Sequence, residues 1–379
     1  MKIDVKQIDA GATQQRGLPP AVFKSPDVFD QECDAVFRSG WVSLASAQQL
    51  PNVGDMLPVK IGDASLLVIR NAEEEIGVFH NICRHKAAPL VDSACSKRVL
   101  VCPYHRWAYS LDGSLRAAPK YYGNSDEHMS AEDKQDKGLL PVRSVVWWDT
   151  IFVNLSGDAE PFEEFIRPLE QQLEGYDPAG LSLVSSTEYQ SAANWKLAVD
   201  NFLDGYHVPF VHSQAVTVDS ILNQDDLFLS DEIIGLRLPT GASDKPAKTD
   251  KPLPHFAHLT EENTGTQQWF GIFPNTLLFV DPVWVQLIIV RPEAPDFATE
   301  TLTIYAANPD AMADEFAMQR QVLSDTLNEV NRQDIELLDK LQFTRTAPEA
   351  RHSHLVPAWD QVNVRFHQIW LQKMQRAAG

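Results

Sequence analysis

Cysteine is scarce: only Cys33, Cys83, Cys95 and Cys102 occur in 379 residues. So few thiols exclude a disulfide-framed scaffold and suit a reducing compartment. Positive charge is in deficit too, with 32 Lys and Arg against 52 Asp and Glu and a formal net charge of −20. A surface that acidic argues against non-specific nucleic-acid binding, which needs clustered cations. No apolar run approaches the roughly eighteen residues of a membrane span. The longest candidates, such as Trp284–Val290, are the size of a buried strand. The first residues lack the apolar segment of a secretory signal. There is no Gly-x-Gly-x-x-Gly dinucleotide fingerprint either. The expectation is a cytoplasmic protein with neither a nucleic acid nor a membrane as partner.

The length implies one large or two medium domains. Residues 26–39 read as an amphipathic helix opened by Ser25-Pro26. Short β-rich runs follow: Met56–Ile61, Ser65–Arg70, Ile76–Phe79, Val99–Val101 and Val145–Asn154. Beyond Pro161, a helix at Phe162–Glu174 leads to a strand at Leu183–Ser191. Further strands are expected at Gln268–Phe273, Thr276–Val280, Val283–Val290 and Thr301–Ala306, then helices over 310–342 and 358–377. Residues 240–265 read as a long exposed loop. The pattern predicts an α+β fold, with a small all-β module at 40–155 between a helical 1–39 and a mixed 156–379.

Two of the four cysteines stand beside histidines, as Cys83-Arg84-His85 and Cys102-Pro103-Tyr104-His105. Two Cys and two His on separate loops are ligands for one metal site. A single zinc is one reading. Mixed Cys/His pairs fit better a [2Fe–2S] centre with two Cys on one iron and two His on the other. At this point the chain resembles the Rieske family. Members of the cytochrome bc type carry an extra cysteine in each cluster loop; Ala88 and Tyr104 stand there, so that brace is absent, as in the oxygenases of the family. Arg106 sits where those oxygenases often have glycine before tryptophan, here Trp107.

The segment Asn194-Trp195-Lys196 through Asp200-Asn201, Asp204, His207 and His212 holds a second set. Asp204 and His207, three apart, share a helix face, and Pro209 is expected to end regular helix so that His212 folds back. Two imidazoles and a carboxylate with open positions opposite make the facial triad of non-haem Fe(II) oxygenases. The third ligand must be a distant carboxylate, with Asp334, Glu336 and Asp339 as candidates. The segment resembles the family's Asn-Trp-Lys…Asp-x-x-His-x₄-His pattern. By that resemblance Asp334, eight residues before Gln342, completes the iron site, although Gln333 replaces the usual Glu. The resemblance also gives Asn201 and Asp204 catalytic positions, Asp204 bridging His207 to His105 of a neighbouring subunit in a homotrimer.

The resemblance implies a terminal oxygenase: a Rieske [2Fe–2S] domain inserted in a helix-grip-like catalytic domain whose antiparallel sheet is flanked by helices. Electrons would pass from NAD(P)H through a flavin or iron–sulfur reductase to the cluster and on to Fe(II), where O₂ is activated. Sequence around both motifs is most similar to the choline monooxygenase and betaine-demethylase branch, so the small-molecule substrate is expected to be a quaternary amine or betaine. A cation of that kind needs aromatic faces, and Trp269, Phe270, Phe273 and Trp284 are candidates, with Asp281 as a nearby acid. An aromatic ring or aryl acid is the alternative substrate. A Rieske electron-transfer protein without oxygenase activity, and a zinc-stabilised binding module, are the alternatives of other classes.

Overall fold

Seven strands form one antiparallel sheet in the order β11-β17-β16-β15-β14-β13-β12. They are β11 (Ser182–Ser191), β12 (Asp225–Phe228), β13 (Ile233–Pro239), β14 (Thr266–Ile272), β15 (Thr276–Val280), β16 (Trp284–Ala294) and β17 (Phe297–Ala306). The computed structural model describes residues 4–123, 129–212, 224–239 and 251–377. Part of the loop expected at 240–265, residues 240–250, lies outside them. The chain divides into two compact units, one of Met1–Val42 with Ala159–Gly379 and one of Ser43–Asp158.

In the larger unit the sheet is covered by three helices that matter for the site: α3 (Trp195–Leu203), α5 (Ala317–Arg345) and α6 (Gln361–Ala377). Helix α5 packs on β11, β17 and α3, and α6 on β13 and α3. Helix α1 (Pro26–Glu32) starts at Ser25, whose Oγ accepts from the Val28 N–H at 3.4 Å. It then widens into a π-helical turn over Cys33–Arg38, so the helix expected at 26–39 has two forms. The helix expected to start at 310 begins at Ala317, because Pro309 and Ala313 set up two short 3₁₀ turns first.

The smaller unit, expected to be all β, is built of strands apart from a short helix at Ala131–Gln135 and a 3₁₀ turn at Ala47–Gln49. One sheet runs β4-β3-β2-β5, built from β2 (Asp55–Ile61), β3 (Ala64–Arg70), β4 (Ile76–His80) and β5 (Cys95–Ser96). A second runs β6-β7-β8, from Leu100–Val101, Ala108–Tyr109 and Leu115–Ala117. Between them lies a core that includes Leu67, Ile69, Leu100, Tyr109 and Leu115. At Gly113, with φ of 81°, an added Cβ would meet Phe79 Cε1 at 2.4 Å, so only glycine closes that turn. The run read as one strand at Val145–Asn154 is a hairpin of β9 (Arg143–Trp147) and β10 (Thr150–Asn154). Its two turn residues, Trp148 and Asp149, have φ of 46° and 63°. Asn-Gly would have signalled such a turn. Here the Asp149 side chain holds it instead, accepting from Ser46 Oγ and, at 3.0 Å, from the Gln48 N–H. Among the described residues no helix is long and apolar enough to cross a membrane.

Candidate metal centres and cavity

The two Cys/His loops are built alike. In each, the cysteine N–H donates to the carbonyl five residues on: Cys83 to Ala88 at 2.9 Å, Cys102 to Trp107 at 2.8 Å. In each, the N–H of the fourth residue returns to the cysteine carbonyl: Ala87 to Cys83 at 3.0 Å, Arg106 to Cys102 at 3.1 Å. The residues that close these loops, Ala87 and Arg106, have φ of 55° and 62°. That left-handed conformation explains the family's glycine at the second position. Arg106→Gly is therefore expected to stabilise this loop by about 0.5–1 kcal/mol, read as a higher temperature of cluster bleaching.

Cys83 and Cys102 are buried, whereas His85 is exposed and His105 half-buried. The two imidazoles meet edge-on with centroids 4.5 Å apart, and His85 stacks on Trp107 at 5.1 Å. Soft sulfur donors inside and imidazoles at the surface suit a cluster with one protected iron and one near solvent. Tyr109 supports the inner side: its hydroxyl lies 3.3 Å from Cys83 Sγ and accepts from the Arg84 N–H at 3.1 Å. Burial, then the hydrogen bond with Cys83, raises the Tyr109 phenol, so it stays a donor. A hydrogen bond to a ligand sulfur favours the reduced cluster. Tyr109→Phe is expected to lower the reduction potential by about 20–60 mV, the equivalent of one net hydrogen bond, in a redox titration followed by visible absorbance.

In the larger unit His207, His212 and Asp334 converge, their donor atoms all within 4.8 Å of one another. Asp334 Oδ1 lies 3.0 Å from His212 Nε2 and 3.5 Å from His207 Nε2. The other ring nitrogens point outward to acceptors, His207 Nδ1 to Asp204 Oδ2 at 3.3 Å and His212 Nδ1 to Gln333 Oε1 at 2.8 Å. An outward Nδ1–H leaves each Nε2 lone pair free toward the centre, the tautomer a metal requires. Burial works against charge on His207 and Asp334, but the hydrogen bonds and charges around them prevail. They lift His207 to about 9 and hold Asp334 down at about 2. The three side chains thus build a seat for positive charge, and two imidazoles with one carboxylate fit Fe(II).

Local structure departs from the expectation at two places. Helix α3 ends at Leu203, and Asp204 is its extended C-cap, followed by Gly205. Asp204 and His207 therefore meet across a turn, not along a helix, with the Tyr206 N–H donating to Asp204 Oδ1 at 2.7 Å. Pro209 does not end helix; it sits in the first turn of α4 (Val208–Val211), where a missing N–H costs nothing. The other carboxylate candidates are engaged elsewhere. Glu336 pairs with Arg332 on the surface, and Asp339 Oδ1 accepts from the Ala192 N–H at 2.8 Å.

Much of the Asn-Trp-Lys motif is structural. Asn194 caps α3 by accepting from the Lys196 N–H at 3.0 Å, and its own N–H donates to Gln342 Oε1 at 3.0 Å. Gln342 Nε2 in turn donates to the Phe23 carbonyl at 2.9 Å, so α5 and the N-terminal segment are tied to the start of α3. Lys196 Nζ and Glu32 Oε1 form a wholly buried pair at 2.6 Å. Glu32 also accepts from the indoles of Trp195 at 3.0 Å and Trp370 at 2.7 Å.

A cavity of about 470 Å3 opens on the His/His/Asp set. Asn201, Trp269 and Trp284 line it. Phe270 and Phe273 do not: strand alternation turns Phe270 to the opposite face of β14, and Phe273, past the strand end, packs against Trp195 and Phe366. Phe279 takes their place, its ring centroid 4.2 Å from Trp269 and 4.4 Å from Trp284. Its register opposite Trp269 was the available signal. Asp281 also lines the cavity, with Gln267 Nε2 at 2.7 Å and the Val283 N–H at 2.9 Å as donors to it. The contact of Gln333 with His212, and Glu300 on the cavity wall, were not anticipated.

Residues 179–376 match the ring hydroxylating alpha subunit catalytic domain, and residues 40–123 the Rieske [2Fe-2S] domain. Chloroplastic choline monooxygenase of Spinacia oleracea is 24% identical over 363 residues, 94% of this chain and 77% of that one. The glycine betaine monooxygenase oxygenase subunit of Pseudomonas aeruginosa is 32% identical over 212 residues, covering 55% of this chain and 47% of that one. Among solved structures, a quaternary ammonium Rieske monooxygenase described for carnitine oxidation and inter-subunit electron transfer superposes with a TM-score of 0.75 at 18% identity, covering 99% of each chain. The two matched domains bring a [2Fe–2S] cluster and a non-haem Fe(II) centre. This chain belongs to the ring hydroxylating alpha subunit family and is a Rieske oxygenase.

Proposed function

We propose that this oxygenase oxidises a methyl or methylene group next to the nitrogen of a small quaternary amine or betaine. The convergence of His207, His212 and Asp334 on the wall of a cavity also lined by aromatic residues carries the reading. Cys83, His85, Cys102 and His105 would hold the cluster, and His207, His212 and Asp334 the iron. When bound, the iron supplies O₂ activation and the cluster supplies single electrons. The chain's own part is to hold and orient. Asp204 and Gln333 fix the tautomers of the two histidines, and Trp269, Phe279 and Trp284 give the cavity π faces that favour a cation over an anion. Asn201 lines the same cavity beside the ligands.

Electrons would enter from a separate flavin or iron–sulfur reductase that oxidises NAD(P)H. They would cross between copies of a homotrimer, from His105 of one copy to Asp204 and His207 of the next. Half-burial of His105 and partial exposure of Asp204, its side chain 28% exposed, support that route. A cyclic assembly is the usual outcome of such head-to-tail contacts.

The test is a screen of quaternary amines against aryl acids with a surrogate reductase, following substrate-dependent NADH and O₂ consumption. Turnover with a quaternary amine, and formaldehyde release where an N-methyl is lost, is expected. Turnover with aryl acids alone would overturn the substrate. Gln333→Ala is expected to weaken Fe(II) retention about 10–100-fold by freeing His212 to reorient, measured as iron lost to a chelator with the cluster spectrum unchanged.

A further inference from the structure

Glu300 faces the cavity from β17 and is 4% exposed, and its Oε1 has no hydrogen-bond partner. Asn331, one turn before Asp334 on α5 and also 4% exposed, lines the same cavity with its Nδ2 unpartnered. Buried polar atoms are nearly always bonded; the Asn331 amide lies close enough to Glu300 to lower its carboxyl yet makes no full hydrogen bond with it, so the pair is left for a ligand to complete. Burial, then the charge of Asp334, pushes the Glu300 carboxyl up to about 8. Among the described residues that line the cavity there is no Lys or Arg, whereas Asp281, Glu300 and Asp334 are all acids. Both oxygens of Asp281 already have donors.

The two ends of the cavity differ. Gln286 of β16 stands opposite Phe279, and Val290 stands opposite Glu300. Four residues of strand separate those rows, about 13 Å at ~3.3 Å per residue. Glu300, within the influence of Asp334, lies at the metal-ligand end; the Trp269–Phe279 pair lies toward the other.

We propose that Glu300 and Asn331 form the specificity-determining anchor for the substrate's onium head, and that they select a cation without a carboxylate, a quaternary amino alcohol over a betaine. This selectivity rests on the quaternary-amine reading of the site. An amino alcohol presents its cationic head to Glu300 and a hydroxyl oxygen to the Asn331 amide. A betaine adds a carboxylate to a lining whose described residues hold three acids and no Lys or Arg.

Calorimetric binding to the protein loaded with cluster and iron, without reductase or O₂, separates the possibilities. The probes are choline, glycine betaine and 3,3-dimethyl-1-butanol, the neutral carbon isostere of choline. Choline is expected to bind at least about tenfold more tightly than either of the others. Glu300→Gln is expected to weaken choline about tenfold or more while moving the neutral isostere less than about twofold. Glu300→Asp, which keeps the charge, serves if the amide variant fails to fold, and should again lose choline selectively but less. Equal loss of choline and isostere, choline unchanged, or glycine betaine binding as well as choline would overturn the proposal. If the wild-type protein binds an aryl acid and neither cation, the quaternary-amine reading itself falls, a different outcome from unchanged choline binding in Glu300→Gln.

Discussion

Asp204→Asn protein is expected to keep its colour and its iron while turnover falls about a hundredfold. Asp204 touches no metal-facing atom. Its Oδ2 meets the outward nitrogen of His207, 3.3 Å away, and its Oδ1 accepts from the Tyr206 N–H. The carboxylate is partly exposed, with Tyr206 and Phe210 on the surface beside it. It can therefore face two ways, inward to one imidazole and outward to that of another copy. An amide of the same shape replaces one of the two acceptor oxygens with an NH2 donor, which cannot accept from an N–H. Iron and sulfide content should be unchanged, and reoxidation of the reduced cluster by O₂ with substrate should slow in step with turnover. A variant with full turnover would rule out the bridge. A variant that loses iron would reassign Asp204 to holding the site together.

Lys196→Met should cost about 3–5 kcal/mol of stability, the usual penalty for stranding one partner of a buried ion pair. Lys196 and Glu32 are both fully buried. Burial, the largest influence, pulls the Lys196 ammonium down from its ordinary value, and Glu32 opposes that. The ammonium also lies over the rings of Trp195, Phe23 and Trp370, between 5.2 and 5.5 Å from their centroids. Methionine fills the space and leaves the Glu32 charge with two indole donors alone. Urea unfolding followed by tryptophan fluorescence gives the cost, and a loss under about 1 kcal/mol would show that the pair is not what anchors α1 to α3 and α6.

The ligand-type residues were legible in the sequence because their spacing is set by short turns. Cys-x-His and Cys-x-x-His each fit inside one loop closed by the same two hydrogen bonds, and His207 and His212 flank a single turn of helix. Asp334 was reachable only through the resemblance, since the sequence alone also allowed Glu336 and Asp339. Tertiary contacts decided between them: Ser191 and Ala192 hold Asp339, and Arg332 holds Glu336. Five strands of the large sheet were legible from their apolar runs, whereas β12 and β13 were not expected. Nor was it legible which face of β14 meets the cavity, so Trp269 and Phe270 were proposed together although alternation permits only one. The turn at Trp148-Asp149 had no glycine to announce it. Glu300 escaped notice, and Gln333 stood out only as a replaced Glu, because a single acid in a strand, or a Gln on a helix, means nothing until the fold sets it beside the site.

Iron and acid-labile sulfide analysis of the purified wild-type and His207→Ala proteins tests the central claim most directly. Two metal centres in one chain require a brown-red protein with about three irons and two sulfides per chain, and a variant that retains the cluster spectrum with about two irons. A wild-type protein with only two irons, unchanged by His207→Ala, would make it an electron-transfer protein, and a colourless zinc protein would contradict both centres.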